Sequence, residues 1–199
     1  MTLNSVKKNA IKANVFYALL TALNDIMGQD GKNSILRYAG LEEYITIYRT
    51  DNHEENETIP YSTFHSLLNS MYTLLGFGTS AILHEAGRKW LIYLSPFGLS
   101  LNKMIKKLED WIGGKWELHI KDDIEFVRVY DSPICYNFES ITKKPFCFII
   151  CGIICRIKES ETGEQFDVKE DKCITIGDKY CQFRITKKNK LNVKNYMKE

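Results

Sequence analysis

The first 134 residues of this 199-residue chain contain no cysteine. All six cysteines fall between Cys135 and Cys181, so any sulfur chemistry belongs to the last third of the chain. Other absences narrow the function class. With 27 basic and 25 acidic residues the net charge is +2, too little excess to grip nucleic acid. No apolar run reaches the ~18 residues of a membrane span, and the longest is broken by Arg156 and Lys158. The N-terminus, MTLNSVKKNAIKAN, lacks the apolar core of a signal peptide. There is no G-x-G-x-x-G, P-loop, H-E-x-x-H or nucleophile elbow, so no motif assigns catalysis. These absences describe a soluble cytoplasmic protein without membrane insertion or direct nucleic-acid contact. In that setting the cysteines are thiols or metal ligands rather than disulfides.

What is present is periodic. Residues 3 to 27 carry apolar side chains at helical spacing, closed by Gly28, and a shorter helix runs on to Gly40. RTDNHEENETIP reads as a solvated loop, with His53 idle in it. Helices follow over Tyr61 to Leu75, over TSAILHEAGRKWLIYL, and over residues 99 to 112, where Gly113-Gly114 stops the last. The period then changes from 3.6 to 2. Residues 116–121 and 124–130 form a hairpin across Asp122-Asp123, residues 145–157 a buried helix, and EQFDVKED and YCQFRITK two more strands. The expected fold class is α+β: N-terminal helices packed on a small antiparallel sheet, in the order hairpin, helix, hairpin. No linker interrupts it, so residues 1–199 read as a single domain. It comprises a helical half (1–113), a sheet and metal-binding half (114–187) and a basic tail (188–199).

Cys147, Cys151 and Cys155 recur every fourth residue and share one helix face. Cys173 ends one strand and Cys181 begins the next across the Gly177 turn, with Glu170 three residues upstream. Two hairpin thiolates, a carboxylate and a thiolate from a helix N-terminus can build a tetrahedral site, and zinc accepts such donors. Cys151 and Cys155, inside FIICGIIC, are better explained as small core hydrophobes.

The pattern P-x-C, a glycine five residues on, then E-x2-C-x3-G-x3-C-x-F resembles the C-terminal signature of the 4-vinyl reductase-type domain. The matching residues are Pro145, Cys147, Gly152, Glu170, Cys173, Gly177, Cys181 and Phe183. ILRYAGLEEY and LLGFGTSAILHEAGRKW resemble the family's helical half less specifically. The domain also serves as the sensory module of phenol- and xylene-responsive transcriptional activators, and more distantly its fold is similar to that of TRAPP vesicle-tethering subunits. The resemblance implies a zinc cofactor held by Cys147, Glu170, Cys173 and Cys181; the sequence departs from the family in offering spare thiols, so that Cys151 or Cys135 could replace or join Glu170. Lys143, Lys144, Lys172 and Lys179 are available to offset the site's charge.

The resemblance also implies a function: a zinc-stabilised binding module for a small, mostly apolar or aromatic molecule, a stand-alone sensor or carrier that can dimerise through its helical half. Phe77, Trp90, Tyr93, Trp111, Trp116, Phe126 and Tyr130 supply wall material for such a pocket, or simply core. His84 either orients a polar ligand group or hydrogen-bonds within its helix, while His65 and His119 fall on polar faces. The alternatives are an interaction or assembly subunit without a metabolite, a redox or iron–sulfur protein, and the tetrapyrrole vinyl reductase suggested by the family name.

Overall fold

The computed structural model describes residues 10–46, 57–95, 100–135 and 144–188. Strand β1 (Ala10–Lys12) leads into α1 (Ala13–Tyr38), and β2 (Thr58–Pro60) into α2 (Tyr61–Leu75). Helices α3 (Thr79–Leu94) and α4 (Leu101–Ile112) precede the hairpin of β3 (Lys115–Lys121) and β4 (Ile124–Tyr130). Helix α5 (Phe148–Thr162) and strands β5 (Phe166–Lys172) and β6 (Cys181–Lys187) complete the chain. This is the expected α+β class.

One expectation is corrected. Residues 10–12 are not helical but pair antiparallel with Thr58–Pro60, inside the stretch read as loop, with buried Ile11 opposite buried Ile59. Three residues are too few to separate a helical from an alternating period. The break at Gly28 is where the sequence places it. Its φ of 75° and ψ of 171° interrupt α1, a conformation that suits a residue without a Cβ. His53 and the basic tail from residue 189 onward lie outside the described residues.

The C-terminal strands form one antiparallel sheet in the order β3-β4-β6-β5. Alternation turns Trp116, Val127, Val129, Cys181, Phe183, Ile185, Phe166 and Val168 to the covered face. Helix α5 lies between this sheet and α3, which explains a sequence that is apolar all round: eight of its buried residues are Ile, Cys or Gly. Helix α1 then covers α3, and the Trp90 indole N–H donates to the Val15 carbonyl at 2.7 Å to pin the two together.

The crossing of α3 and α5 is a backbone-to-backbone contact. A Cβ on Gly87 would overlap the Ile149 carbonyl, and one on Gly152 would overlap the His84 carbonyl. The two glycines let α3 and α5 approach backbone to backbone. Cys147 caps the N-terminus of α5.

Candidate metal centre

Four cysteines meet at one point. Cys147 is the N-cap of α5. Cys173 follows β5, Cys181 opens β6, and Cys135 lies in the turn after β4, its N–H bonded to the Ser132 carbonyl at 3.1 Å. Their sulfurs all lie within 4.8 Å of one another, and all four residues are buried.

The six sulfur–sulfur distances are 3.1 Å for Cys135–Cys147, 3.5 Å for Cys135–Cys181, 3.9 Å for Cys135–Cys173, Cys147–Cys181 and Cys173–Cys181, and 4.0 Å for Cys147–Cys173. A regular tetrahedron with metal–sulfur bonds of about 2.3 Å has edges of about 3.8 Å. Four of the six edges fall within about 0.2 Å of that value.

The local sequence explains how each sulfur arrives. Along β5, Phe166, Val168 and Glu170 point inward at alternate positions. Strict alternation would then turn Lys172 inward and Cys173 outward. A register shift between Glu170 and Lys172 inserts one extra residue opposite β6 and inverts the parity, so Lys172 is exposed and Cys173 is buried. A single helical turn over Ile174–Ile176 and the left-handed Gly177 (φ 98°) reverse the chain into Cys181. The Cys173 N–H donates to the Asp178 carboxylate at 2.9 Å, and the Cys173 sulfur contacts the Thr175 hydroxyl at 3.0 Å.

Of the four residues the resemblance implies, Cys147, Cys173 and Cys181 are brought together at the sulfur cluster. Glu170 lies beside them. Its Oε2 accepts the Cys147 backbone N–H at 2.7 Å, while its Oε1 is buried without a hydrogen-bond partner among the described residues. Burial, with the neighbouring Cys173 sulfur, pushes the Glu170 carboxyl up to about 8. Cys135 supplies the fourth sulfur. No spacing in the sequence ties it to the other three; the signal was only its place among the clustered cysteines. Cys151 is one turn further along α5, outside the cluster, its thiol pushed up by burial.

Hydrogen bonding to Cys135 and burial hold the Cys147 and Cys181 thiols high, whereas bonds accepted from Cys135, Cys147 and Cys181 pull Cys173 down. A divalent cation would displace the remaining protons, since only thiolates ligate. The positive end of α5 faces the same point. Of the lysines expected to balance it, Lys143 lies outside the described residues, and Lys144, Lys172 and Lys179 are exposed or partly exposed at the surface.

The donors and the bulge fall within one segment. A family model for the 4-vinyl reductase-type domain matches residues 126–187, from Phe126 in β4 to the end of β6. Residues 126–187 are similar to that domain. All four clustered cysteines and Glu170 lie inside the matched segment. A vinyl-4-reductase family protein from Methanocaldococcus jannaschii superposes with a TM-score of 0.51 at 21% identity, covering 78% of this chain and 94% of that one. An H-NOX protein from S. oneidensis, in its Fe(II)NO ligation state, gives 0.60 at 13% identity, covering 90% of this chain and 100% of that one. An oxygen-binding H-NOX domain related to soluble guanylate cyclases gives 0.57 at 16% identity over 90% of this chain and 96% of the other. These likenesses establish a shared fold. No curated protein sequence matches the chain.

The proposed pocket walls divide. Trp90 and Trp111, with Leu91, Leu94, Leu108, Ile112 and Ile153, line an apolar seam between α3, α4 and α5 that is too tight to admit a water molecule. Trp116 is buried in the core. Phe126 and Tyr130 alternate with the inward Val127 and Val129, so they lie on the sheet's opposite face and line no such space. The Tyr93 hydroxyl donates to Asp25, and the side chain of Phe77 lies outside the described residues. His65 bonds the Pro133 carbonyl at 2.9 Å, and His119 contacts Glu117 at 3.1 Å. Among the described residues no helix is long and apolar enough to cross a membrane.

Proposed function

We propose that this protein is a zinc-stabilised module that takes up a small, mostly apolar molecule and acts as a sensor or carrier. The observation that carries the metal half of the reading is the four-sulfur tetrahedron. Cys135, Cys147, Cys173 and Cys181 would hold one zinc ion, with Glu170 as their neighbour rather than a fourth ligand. Four protein ligands leave no open position, which is the character of a structural site. The short sulfur–sulfur edges favour a single ion over a multi-iron cluster, whose bridging sulfides would spread the thiolates further apart. The metal would join the turn after β4, the start of α5 and both C-terminal strands.

The ligand half of the reading places the molecule in the apolar seam between α3, α4 and α5. The seam is apolar but closed to a water-sized group, so a ligand the size of benzene would have to part α3, α4 and α5 to enter. The H-NOX neighbours are described by ligation of NO and of oxygen, which is consistent with a fold that accommodates small ligands. A haem is not part of this reading. The seam between α3, α4 and α5 admits no water-sized group, let alone a cofactor, and His65 and His119 are already engaged.

Trp90 and Trp111 make the test direct. Titration with benzene or toluene is expected to change tryptophan fluorescence saturably and to raise the melting temperature. Ile153→Val, which loosens the seam, is expected to change the affinity for both effects while leaving the metal content unchanged. Non-saturable responses, or identical responses in the variant, would remove the ligand half of the reading.

A further inference from the structure

The four-stranded sheet buries one face and leaves the side chains of the other exposed or partly exposed. On that open face the central strand β4 carries Phe126, Arg128 and Tyr130, with His119 of β3 and Arg184 of β6 on either side of Phe126. Outward positions of a half-covered antiparallel sheet are ordinarily polar. Here Phe126 and Tyr130 are aromatic, and a third ring, Tyr180, has its centre 5.2 Å from that of Tyr130.

Cations interleave with the rings. Arg128 and Lys172 lie 5.0 and 5.1 Å from the centre of the Tyr180 ring, and Lys115 lies 5.9 Å from that of Tyr130. Glu117, Asp167 and Asp171 are the acidic residues of this face, and Lys115 and Arg184 engage two of them. Lys121, Lys169, Arg128 and Lys172 add to the basic side, so cations outnumber carboxylates two to one. A net charge of +2 over the whole chain conceals this local excess. A face of that sign attracts an anionic partner.

The rings narrow the kind of anion. Phe126 and Tyr130, four residues apart on one strand, stand about 13 Å from each other with Arg128 midway between them. A strip that runs ring, cation, ring matches a chain that alternates flat bases with phosphates. Bases reach such rings only when unpaired, because in a duplex their faces are already stacked. A carboxylate-rich peptide brings the charge without the flat groups.

We propose that the open face of the sheet binds single-stranded nucleic acid, with bases stacked on Phe126, Tyr130 and Tyr180 and phosphates held by Lys115, Arg128 and Lys172. This departs from the absence of direct nucleic-acid contact expected from net charge alone.

Fluorescence anisotropy of a labelled twelve-nucleotide oligouridine, titrated with the full chain, tests the proposal. Three phosphate contacts predict a logarithmic salt slope of about −2, a loss of roughly 15- to 20-fold in affinity between 50 and 200 mM salt. Tyr130→Ala is expected to weaken binding at least fivefold with the slope unchanged, while Tyr130→Phe, which keeps the ring, binds as the wild type does. Lys172→Ala is expected to reduce the slope by about 0.7. Lys106→Ala removes the same charge from the exposed side of α4 and is expected to change neither quantity. No binding at tens of micromolar protein in 50 mM salt overturns the proposal. Equal losses from Lys106→Ala and Lys172→Ala overturn it as well, since they mark unspecific attraction of charge. So does a duplex of the same length that binds as tightly. Polyglutamate that displaces the labelled strand as well as unlabelled oligouridine does would assign the face to an acidic protein instead.

Discussion

His84 has a half-buried imidazole on α3, with the Arg88 guanidinium, Glu85, Asp167 and Lys188 around it. Burial, reinforced by Arg88, lowers its pKa below the ordinary value of 6.5. The folded state therefore binds its proton less tightly than the unfolded chain. Stability from the neutral ring is complete above pH 6.5 and is lost as pH falls through the window beneath it. The wild type is expected to lose more thermal stability than His84→Gln between pH 7.5 and pH 5.5. Metal thiolates titrate equally in both proteins, so the difference isolates His84. Parallel melting curves would contradict the assignment. At this scale the cysteines were the most legible residues in the sequence. Cys147, Cys173 and Cys181 stood at interpretable positions, a helix start and two strand ends. Cys135 did not, because a turn residue carries no period, and only tertiary folding brings it within 3.1 Å of Cys147.

The element that organises the molecule is the α3–α5 crossing. Gly152 belongs to the vinyl reductase-like pattern visible in the sequence, and the structure supplies its reason: the His84 carbonyl occupies the space of its Cβ. Gly87 has the matching role against Ile149 and was not foreseen, since a glycine inside a helical period gives no sign of what crosses it. Gly152→Ala is expected to destabilise the fold by at least about 2 kcal/mol, overpacking outweighing the roughly 1 kcal/mol gained in helix propensity. For a chain of this size that is about 4–8 °C in melting temperature. Gly78→Ala, at an ordinary helical φ of −71° with open space around it, is expected to stay within about 0.5 kcal/mol of the wild type. Equal melting temperatures for the two variants would refute the close-contact account. The bulge in β5 is the other element that sequence reasoning missed. EQFDVKEDKC alternates plausibly as a plain strand, and only pairing with β6 shows the shift that turns Cys173 inward.

For the whole molecule, the order helices, hairpin, helix, hairpin was readable because each period ran for several turns or pairs. The strand Ala10–Lys12 was too short to show one, and its pairing with Thr58–Pro60 is long-range. A metal at the four-sulfur cluster would tie together the turn after β4, the start of α5 and both C-terminal strands, which neither hydrophobic patterning nor local propensity would secure. Bound at a thousand times its dissociation constant, a zinc ion would stabilise the fold by about 4 kcal/mol. The measurement that tests this account most directly is elemental analysis with zinc-edge X-ray absorption on wild-type protein purified under reducing conditions without added metal. The account predicts about one zinc per chain, surrounded by four sulfurs at about 2.3 Å. Iron in place of zinc, or no metal at all in a folded protein, would contradict it.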